Sequence, residues 1–351
     1  MIVAGLMSGS SLDGLDIAFV SFADGGTFTW MEGTTVPIPK PLATRLTDYQ
    51  SLTTRAYVEL ERDFSLWIAS SLTQYCRDTN VRPALAGVHG HTLLHLPADG
   101  LTAQLGHGGI IAAAAGIDVV TDFRMQDITH GGVGTPLVSI LEKQLLSGYD
   151  YYLNLGGIAN ITHIATDGIA AYDVCPCNQL LNHYSMLLAG LPYDAEGQLA
   201  QQGTYRAELI EQLDGLPYWT TPAPKAIDNQ WIRDVCIPLI DSSGSAADIL
   251  HTLCCWIATK IAAEIDASQP SQMLITGGGA YNDLLLEKIS TALTGSNCAV
   301  ATGPDYLTDY KEAILMAYMA YLRVREQPSV LAEVTGARQD SCAGAYYKAT
   351  V

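Results

Sequence analysis

Apolar residues recur along this chain with two kinds of spacing. Short runs bounded by glycines, prolines and hydroxylic residues predict buried strands over 1–6, 17–22, 27–37, 84–88, 101–105, 119–124, 151–155, 158–164 and 273–276. Other stretches repeat at helical spacing. Tyr57, Leu60, Phe64, Ile68, Leu72 and Tyr75 mark one face of a helix over 55–78, and Ile249, Leu253, Trp256, Ile257, Ile261 and Ile265 mark another over 246–266. Further helices are expected over 179–189, ended by Gly190, and over 283–293. Thr135 and Pro136 suit the cap and first position of a helix that ends before Gly148. The segment 310–325 is apolar around most of its circumference, which predicts a helix buried between domains. Residues 192–233, rich in turns and aromatics, read as a surface insertion beside the site. Strands alternating with helices place the chain in the α/β class.

Three of the strands end in glycine-bearing turns. The first, over 5–16, joins two apolar runs through Gly9, Ser10, Ser11, Asp13, Gly14 and Asp16. A hairpin tip of this composition presents backbone N–H groups and hydroxyls to an anion. Asp13 and Asp16 would repel a bare phosphate, so they point to a metal bridge or a substrate hydroxyl, with turn capping as the structural alternative. The second hairpin repeats the design with Asn154, Gly156, Gly157 and Asn160. In the third turn Gly277, Gly278 and Gly279 join a strand to a helix. Together the three suggest a duplicated α/β unit with a nucleotide in the cleft, phosphates at the hairpin tips and a base or ribose against 277–279. No Gly-Lys-Ser/Thr follows, so this is not a Walker A loop.

Composition narrows the partners. The 351 residues suffice for two domains, and 48% hydrophobic against 15% charged residues supply a large core. A net charge of −18 argues against nucleic-acid binding. No apolar run is long enough to call a membrane span, and no signal peptide is visible. Eight scattered cysteines, none in paired zinc spacing and with Cys175/Cys177 and Cys254/Cys255 too close for easy disulfides, fit free thiols in a reducing cytoplasm. His91, His95 and His107 lack convincing metal spacing.

At this point the residues carry a resemblance. The segment 5–16, His89-Gly90, Asp122-Phe123-Arg124, Gly131-Gly132 with Pro136-Leu137, the segment 154–160, 277–279, Glu312-Ala313 and Val334-Thr335-Gly336-Ala337 resemble, in order, the anhydro-N-acetylmuramic acid kinases of the actin/hexokinase/Hsp70 superfamily. The resemblance implies a two-domain actin/hexokinase-like (ribonuclease H-like) fold with a nucleotide cleft between domains, the first domain over 1–130 plus about 326–351 and the second over 131–325. It also implies a cytoplasmic enzyme that uses ATP and Mg²⁺ to phosphorylate O6 of a 1,6-anhydro sugar of peptidoglycan recycling while hydrolysing its anhydro bridge. A homodimer is compatible with the sequence.

On this reading Gly9, Ser10, Ser11, Asp16, Gly156, Gly157, Asn160 and Gly277–Gly279 hold the nucleotide, and Asp13 serves the sugar hydroxyl or the magnesium. His89, Asp122, Arg124, Asn178 and Glu312 contact the sugar. Arg124 suits the lactyl carboxylate of a muramyl sugar, with an inter-strand salt bridge as its rival. Glu312 is read as a buried carboxylate, at the substrate site in the family or paired with a lysine or arginine. The aromatics of 218–231 are either loop packing or a sugar platform.

The chain also departs from the family pattern. Where the family carries the aspartate that activates water, this sequence has Asn182, four residues beyond Asn178 and on the same helix face. An amide cannot take the proton, and Asp173 is the nearest carboxylate in sequence. The segments 105–107 and 225–230 depart as well. Two alternatives therefore stand beside the anhydro-sugar kinase: a nucleotide-binding homologue with lost or altered catalysis, and a plain sugar hydroxyl kinase.

Overall fold

The computed structural model describes residues 1–9, 12, 14–23, 27–166, 168–223 and 225–349. Two compact units divide the chain: unit 1 comprises Met1–Ser147 and Tyr310–Val351, and unit 2 comprises Gly148–Asp309. Unit 1 begins with β1 (Ile2–Ser8), β2 (Leu15–Phe22), β3 (Phe28–Val36), α1 (Lys40–Thr47), α2 (Thr54–Thr79), β4 (Leu85–Leu96), β5 (Leu101–Leu105), α3 (Gly108–Ala115), β6 (Asp118–Thr121), α4 (Met125–Thr129) and α5 (Ser139–Gln144). Unit 2 contains β7 (Tyr151–Leu155), β8 (Ile158–Ala165), β9 (Gly168–Pro176), α6 (Asn178–Ala189), α7 (Glu211–Asp214), α8 (Asn229–Trp231), α9 (Ala246–Ala263), β10 (Ser271–Thr276), α10 (Asp283–Ala292) and β11 (Cys298–Thr302). The chain returns through α11 (Asp305–Val324) to α12 (Ala332–Thr335) and β12 (Ala345–Tyr347).

The two sheets share one design. In unit 1 the order is β3-β2-β1-β4-β6, with β12 beyond β6 and β5 paired to β4. In unit 2 it is β9-β8-β7-β10-β11. In each, three antiparallel strands form a meander whose first strand then pairs in parallel with the next strand of the sheet. This duplicated α/β order is that of the actin/hexokinase-like fold. The connections from β1 to β2 and from β7 to β8 hold equivalent places in the two sheets, the second being the two-residue turn Gly156-Gly157.

Core packing follows the helical faces. Helix α2 starts at Thr53, whose hydroxyl accepts from Ala56 N at 3.3 Å, and ends at Asn80 in the left-handed conformation (φ 56°). Its Leu60, Phe64, Ile68 and Leu72 pack with Leu6, Ile17, Phe19 and Val88 of the sheet. Burying each such side chain contributes about 1.5–3 kcal/mol. Helix α9 is long and apolar enough to cross a membrane, but its Ile249, Leu253, Trp256, Ile257 and Ile261 lie in the core of unit 2. All eight cysteines are free.

Three local expectations give way. Strand β4 continues past Val88 to Leu96, because His91–Leu96 pair with β5. The helix expected from Pro136 begins only at Ser139. The loop before it is clipped elsewhere, with Val133 N donating to Thr335 O at 3.0 Å and Gly134 N to an Asp127 carboxylate oxygen at 2.8 Å. Residues 192–233 are no surface insertion: Ala200, Leu209, Leu213, Ile227 and Ile232 are part of the unit 2 core. Trp219 meets Trp256 edge to face at 5.0 Å and its indole N–H donates to Leu213 O, so these aromatics pack the loop.

The helical segment 310–324 sits within unit 1. Adjacent residues Gly5 and Gly87 give it a seat: a Cβ on either would fall 1.7 Å from Ala313 O or 2.0 Å from Met316 O. The units therefore divide at Ser147/Gly148 and Asp309/Tyr310, not near 130 and 325, and Tyr310 breaks α11 with non-helical φ −123°.

Candidate active site

In unit 1 the β1–β2 hairpin brings Met7 opposite Asp16. Ser10, Ser11 and Asp13 lie outside the described residues. Thr35 on β3 donates its hydroxyl to Asp16 Oδ1 at 2.6 Å, which ties this carboxylate to the neighbouring strand. Behind the turn, Ser8 pairs in register with His91, and both are buried. Burial holds the His91 imidazole below its usual range, against the opposing pull of the Gly9 carbonyl.

Next to this turn is a network centred on Arg124. Its Nε donates to His89 Nε2 at 2.9 Å and its Nη1 to Gly134 O at 2.7 Å. Gly134 N donates to Asp127 Oδ2, and the Thr335 hydroxyl donates to Asp127 Oδ1 at 2.7 Å. Asp127 is completely buried, and a Cβ at Gly132 would stand 2.3 Å from its Oδ2. The 131–134 glycines and the 334–337 segment thus meet on one carboxylate. Burial pulls Arg124 down to about 10, while nearby Glu312 acts to raise it. No carboxylate among the described residues reaches ion-pair distance of Arg124, so the inter-strand salt bridge is not formed. Asp122 is exposed, in the left-handed region at φ 61°, and accepts from Met125 N at 3.4 Å.

Glu312 is exposed rather than buried. The buried charge of this helix is its neighbour Lys311, 3.5 Å from buried Glu142. His89, expected as a sugar contact, has both ring nitrogens engaged within the protein, Nδ1 being 3.0 Å from Gly90 O.

In unit 2 the β7–β8 turn, the start of α6 and the 277–279 turn form one assembly. Cys177 N and Gln179 N donate to Gly157 O at 2.9 and 3.1 Å, and Asn178 N donates to Gly156 O at 3.1 Å. The first amides of α6 are thereby satisfied by the hairpin instead of a side-chain cap. Asn178 Nδ2 donates to Leu155 O at 2.9 Å, and its Oδ1 would be 3.3 Å from a Cβ at Gly279. Gly277 has φ 85° and no room for a side chain, since a Cβ would meet Asn154 Oδ1 at 2.6 Å. At Gly278 the space is open, with only Asn178 Nδ2 at 3.8 Å. Asn160 pairs in register with both Asn154 and Asp173. Asp173 Oδ2 accepts from Ile227 N at 2.8 Å, and burial raises this carboxyl above the usual range. Asn182 is exposed one turn beyond Asn178, and its side chain has no hydrogen-bond partner among the described residues.

Comparison with known proteins decides the family. The profile described as "Anhydro-N-acetylmuramic acid kinase" matches residues 1–349. A protein of that name from Paramagnetospirillum magneticum is 33% identical, with 99% of each chain covered. Its namesake from Vibrio cholerae is also 33% identical, over 98% of this chain and 97% of the relative. One from Xanthomonas oryzae pv. oryzae is 34% identical over 99% and 98%. This chain belongs to the anhydro-N-acetylmuramic acid kinase family. Among solved structures, component A of the Acidaminococcus fermentans (R)-2-hydroxyglutaryl-CoA dehydratase superposes with a TM-score of 0.47 at 13% identity over 93% of this chain and 99% of that one, a likeness too distant to carry weight.

For a member of this kinase family, the sequence expectations fall into two groups. Unit 1 brings His89 and Arg124 together, with Glu312 near enough to act on the Arg124 charge. Unit 2 brings Gly156, Gly157, Asn178 and Gly277–Gly279 together around Leu155. Sequence reasoning missed Asp127 and Thr335 as organisers of the unit 1 group. The signal was present in the 131–134 glycine run and in Thr335-Gly336, segments that need one buried acceptor to hold them.

Proposed function

We propose that this protein is a kinase that transfers the γ-phosphoryl group of ATP to O6 of 1,6-anhydro-N-acetylmuramic acid. Water adds at C1, the C1–O6 bond breaks, and O6 takes the phosphoryl group, leaving ADP and the sugar 6-phosphate. The observation that carries this reading is the family match from end to end of the chain. The geometry supports it. With the carbonyls of Gly156 and Gly157 committed to α6, the N–H groups are that turn's remaining donors for phosphate oxygens, and the open face of Gly278 allows an adenosine to approach. Gly9, Ser10, Ser11 and Asp16 are assigned to the phosphates from the equivalent hairpin. Magnesium would accompany ATP and neutralise phosphate charge, with Asp13 its assigned carboxylate. Asp122, Arg124, Asn178 and Glu312 are assigned to the sugar. Eight free thiols suit a reducing cytoplasm, where ATP is supplied.

Incubation of the protein with MgATP and 1,6-anhydro-N-acetylmuramic acid, read by ADP release and by mass spectrometry, tests the reading. The expected product is the reducing sugar 6-phosphate, heavier by one water and one phosphoryl group. Absence of that product above the no-enzyme control overturns the reading.

One observation favours a second reading, a nucleotide-binding homologue with altered catalysis. Asn182 stands exposed, with no hydrogen-bond partner among the described residues, where the family's base is expected, and the Asp173 carboxylate is tethered to Ile227 N. Binding of adenine nucleotide without turnover on any anhydro or reducing sugar would support it.

A further inference from the structure

His89 sits on β4 with 5% of its surface exposed, and the chemistry of its two neighbours fixes its proton. Gly90 O, 3.0 Å from Nδ1, can only accept, so Nδ1 carries the hydrogen. Arg124 Nε–H, 2.9 Å from Nε2, can only donate, so Nε2 is bare. The ring is therefore a neutral imidazole of one tautomer. Burial, with the Arg124 charge second, pushes its protonation down to about 3, so it keeps this form throughout the working pH range. The other anchor of Arg124 is Gly134 O, itself fixed because Gly134 N is held by buried Asp127.

A guanidinium has five N–H donors. Among the described residues two are spent on His89 and Gly134 O, and the other three, one on Nη1 and two on Nη2, remain on the end of the group that can grip a carboxylate bidentately. Lysine could not be held and presented in this way.

We infer that His89 is a positioning residue: as a neutral Nε2 acceptor it orients the Arg124 fork toward the carboxylate of the sugar and so sets the preference for an acidic over an uncharged substrate. This rests on the proposed sugar-kinase reading and deepens it. It also replaces a direct sugar contact by His89, whose ring nitrogens are both occupied.

The test compares kcat/KM for 1,6-anhydro-N-acetylmuramic acid with that for its lactyl amide in five proteins: wild type, Arg124→Ala, His89→Leu, His89→Gln and the Arg124→Ala/His89→Leu double variant. The acid-to-amide ratio is the readout, since general loss of structure lowers both substrates alike. Arg124→Ala is expected to reduce the ratio by about 10- to 100-fold, as for loss of a charge-assisted pair. His89→Leu should reduce it about 10-fold, mainly through KM for the acid, and His89→Gln, which keeps an acceptor, should recover part of it. The Arg124→Ala/His89→Leu double variant should be no worse in this ratio than Arg124→Ala alone. If Arg124→Ala changes the ratio and His89→Leu does not, the positioning role is overturned while the carboxylate reading survives. If Arg124→Ala leaves the ratio unchanged, the carboxylate reading falls and the inference with it. If the double variant shows the full sum of both losses, His89 acts independently of Arg124 and the inference is overturned.

Discussion

Because Nε2 of His89 must stay bare to accept from Arg124, folding and protonation compete at this ring. In the unfolded chain an imidazole takes up its proton near pH 6.5, whereas in the folded protein burial delays this to about 3. The contribution is therefore fully present above pH 6.5 and is lost as pH falls from 6.5 toward 3, by up to about 1.4 kcal/mol per pH unit. His91 and His95 shift in the same direction, mainly through burial. Denaturant titrations at pH 7, 6 and 5 should show stability falling with pH, with a shallower slope in His89→Gln; parallel slopes would mean that His89 is not held neutral. Asn182 poses the catalytic question at the same scale. A positioned general base contributes about 10²–10⁴-fold, so Asn182→Asp should raise turnover of the anhydro sugar at least about tenfold if the pocket otherwise retains the family chemistry. Should that substitution leave the rate unchanged while Asp173→Asn abolishes it, the base is Asp173, whose raised carboxyl is already the better proton acceptor.

At the scale of elements, the seat of α11 is the most exacting contact. Gly5 and Gly87 lie side by side on β1 and β4, and each meets helix backbone, which cannot rotate away as a side chain can. Gly5→Ala or Gly87→Ala should cost about 3 kcal/mol or more by overpacking. Gly100→Ala, at φ 72° with nothing within 4 Å, should cost only about 1 kcal/mol of backbone strain. Melting temperatures of the three variants check the order, and equal losses would show that the close approach of α11 backbone to Gly5 and Gly87 adds nothing. The same helix shows where the sequence was legible. Helices α2 and α9 and the three glycine turns were readable because one-sided apolar spacing and strand-end glycines report local geometry directly. Helix α11 is apolar nearly all round, so its helicity could be read but not which charge turns inward, and Lys311 rather than Glu312 is the buried one. The histidines of β4 obscured a strand that only pairing with β5 reveals. The core role of 192–233 was hidden because its buried residues hang on short turns with no repeating period.

The whole molecule is discontinuous in one unit and continuous in the other. Unit 1 needs two chain segments, since α11 is seated on Gly5 and Gly87 and β12 pairs with β6. Unit 2 is a single stretch, Gly148–Asp309, with its own five-stranded sheet. Its buried cluster runs from Tyr151 to Leu293 without drawing on any residue outside the unit. A stretch of this size, with α9 sequestered in that cluster, meets the requirement for independent folding: apolar surface enough to offset the entropy of ordering its own chain. The fragment 148–309 expressed alone should therefore show a cooperative thermal transition by circular dichroism. Because the β7–β8 turn, the start of α6 and the 277–279 turn all lie within it, the fragment should also bind adenine nucleotide. Saturation at a hundred times the dissociation constant should add about 2.7 kcal/mol to its stability. Fragment 1–147, deprived of its α11 and β12, should fail to melt cooperatively. A fragment 148–309 that shows no transition would mean that its core is completed only by the rest of the chain, and one that folds without any nucleotide-dependent shift would remove the 156–157 and 277–279 turns from the nucleotide site.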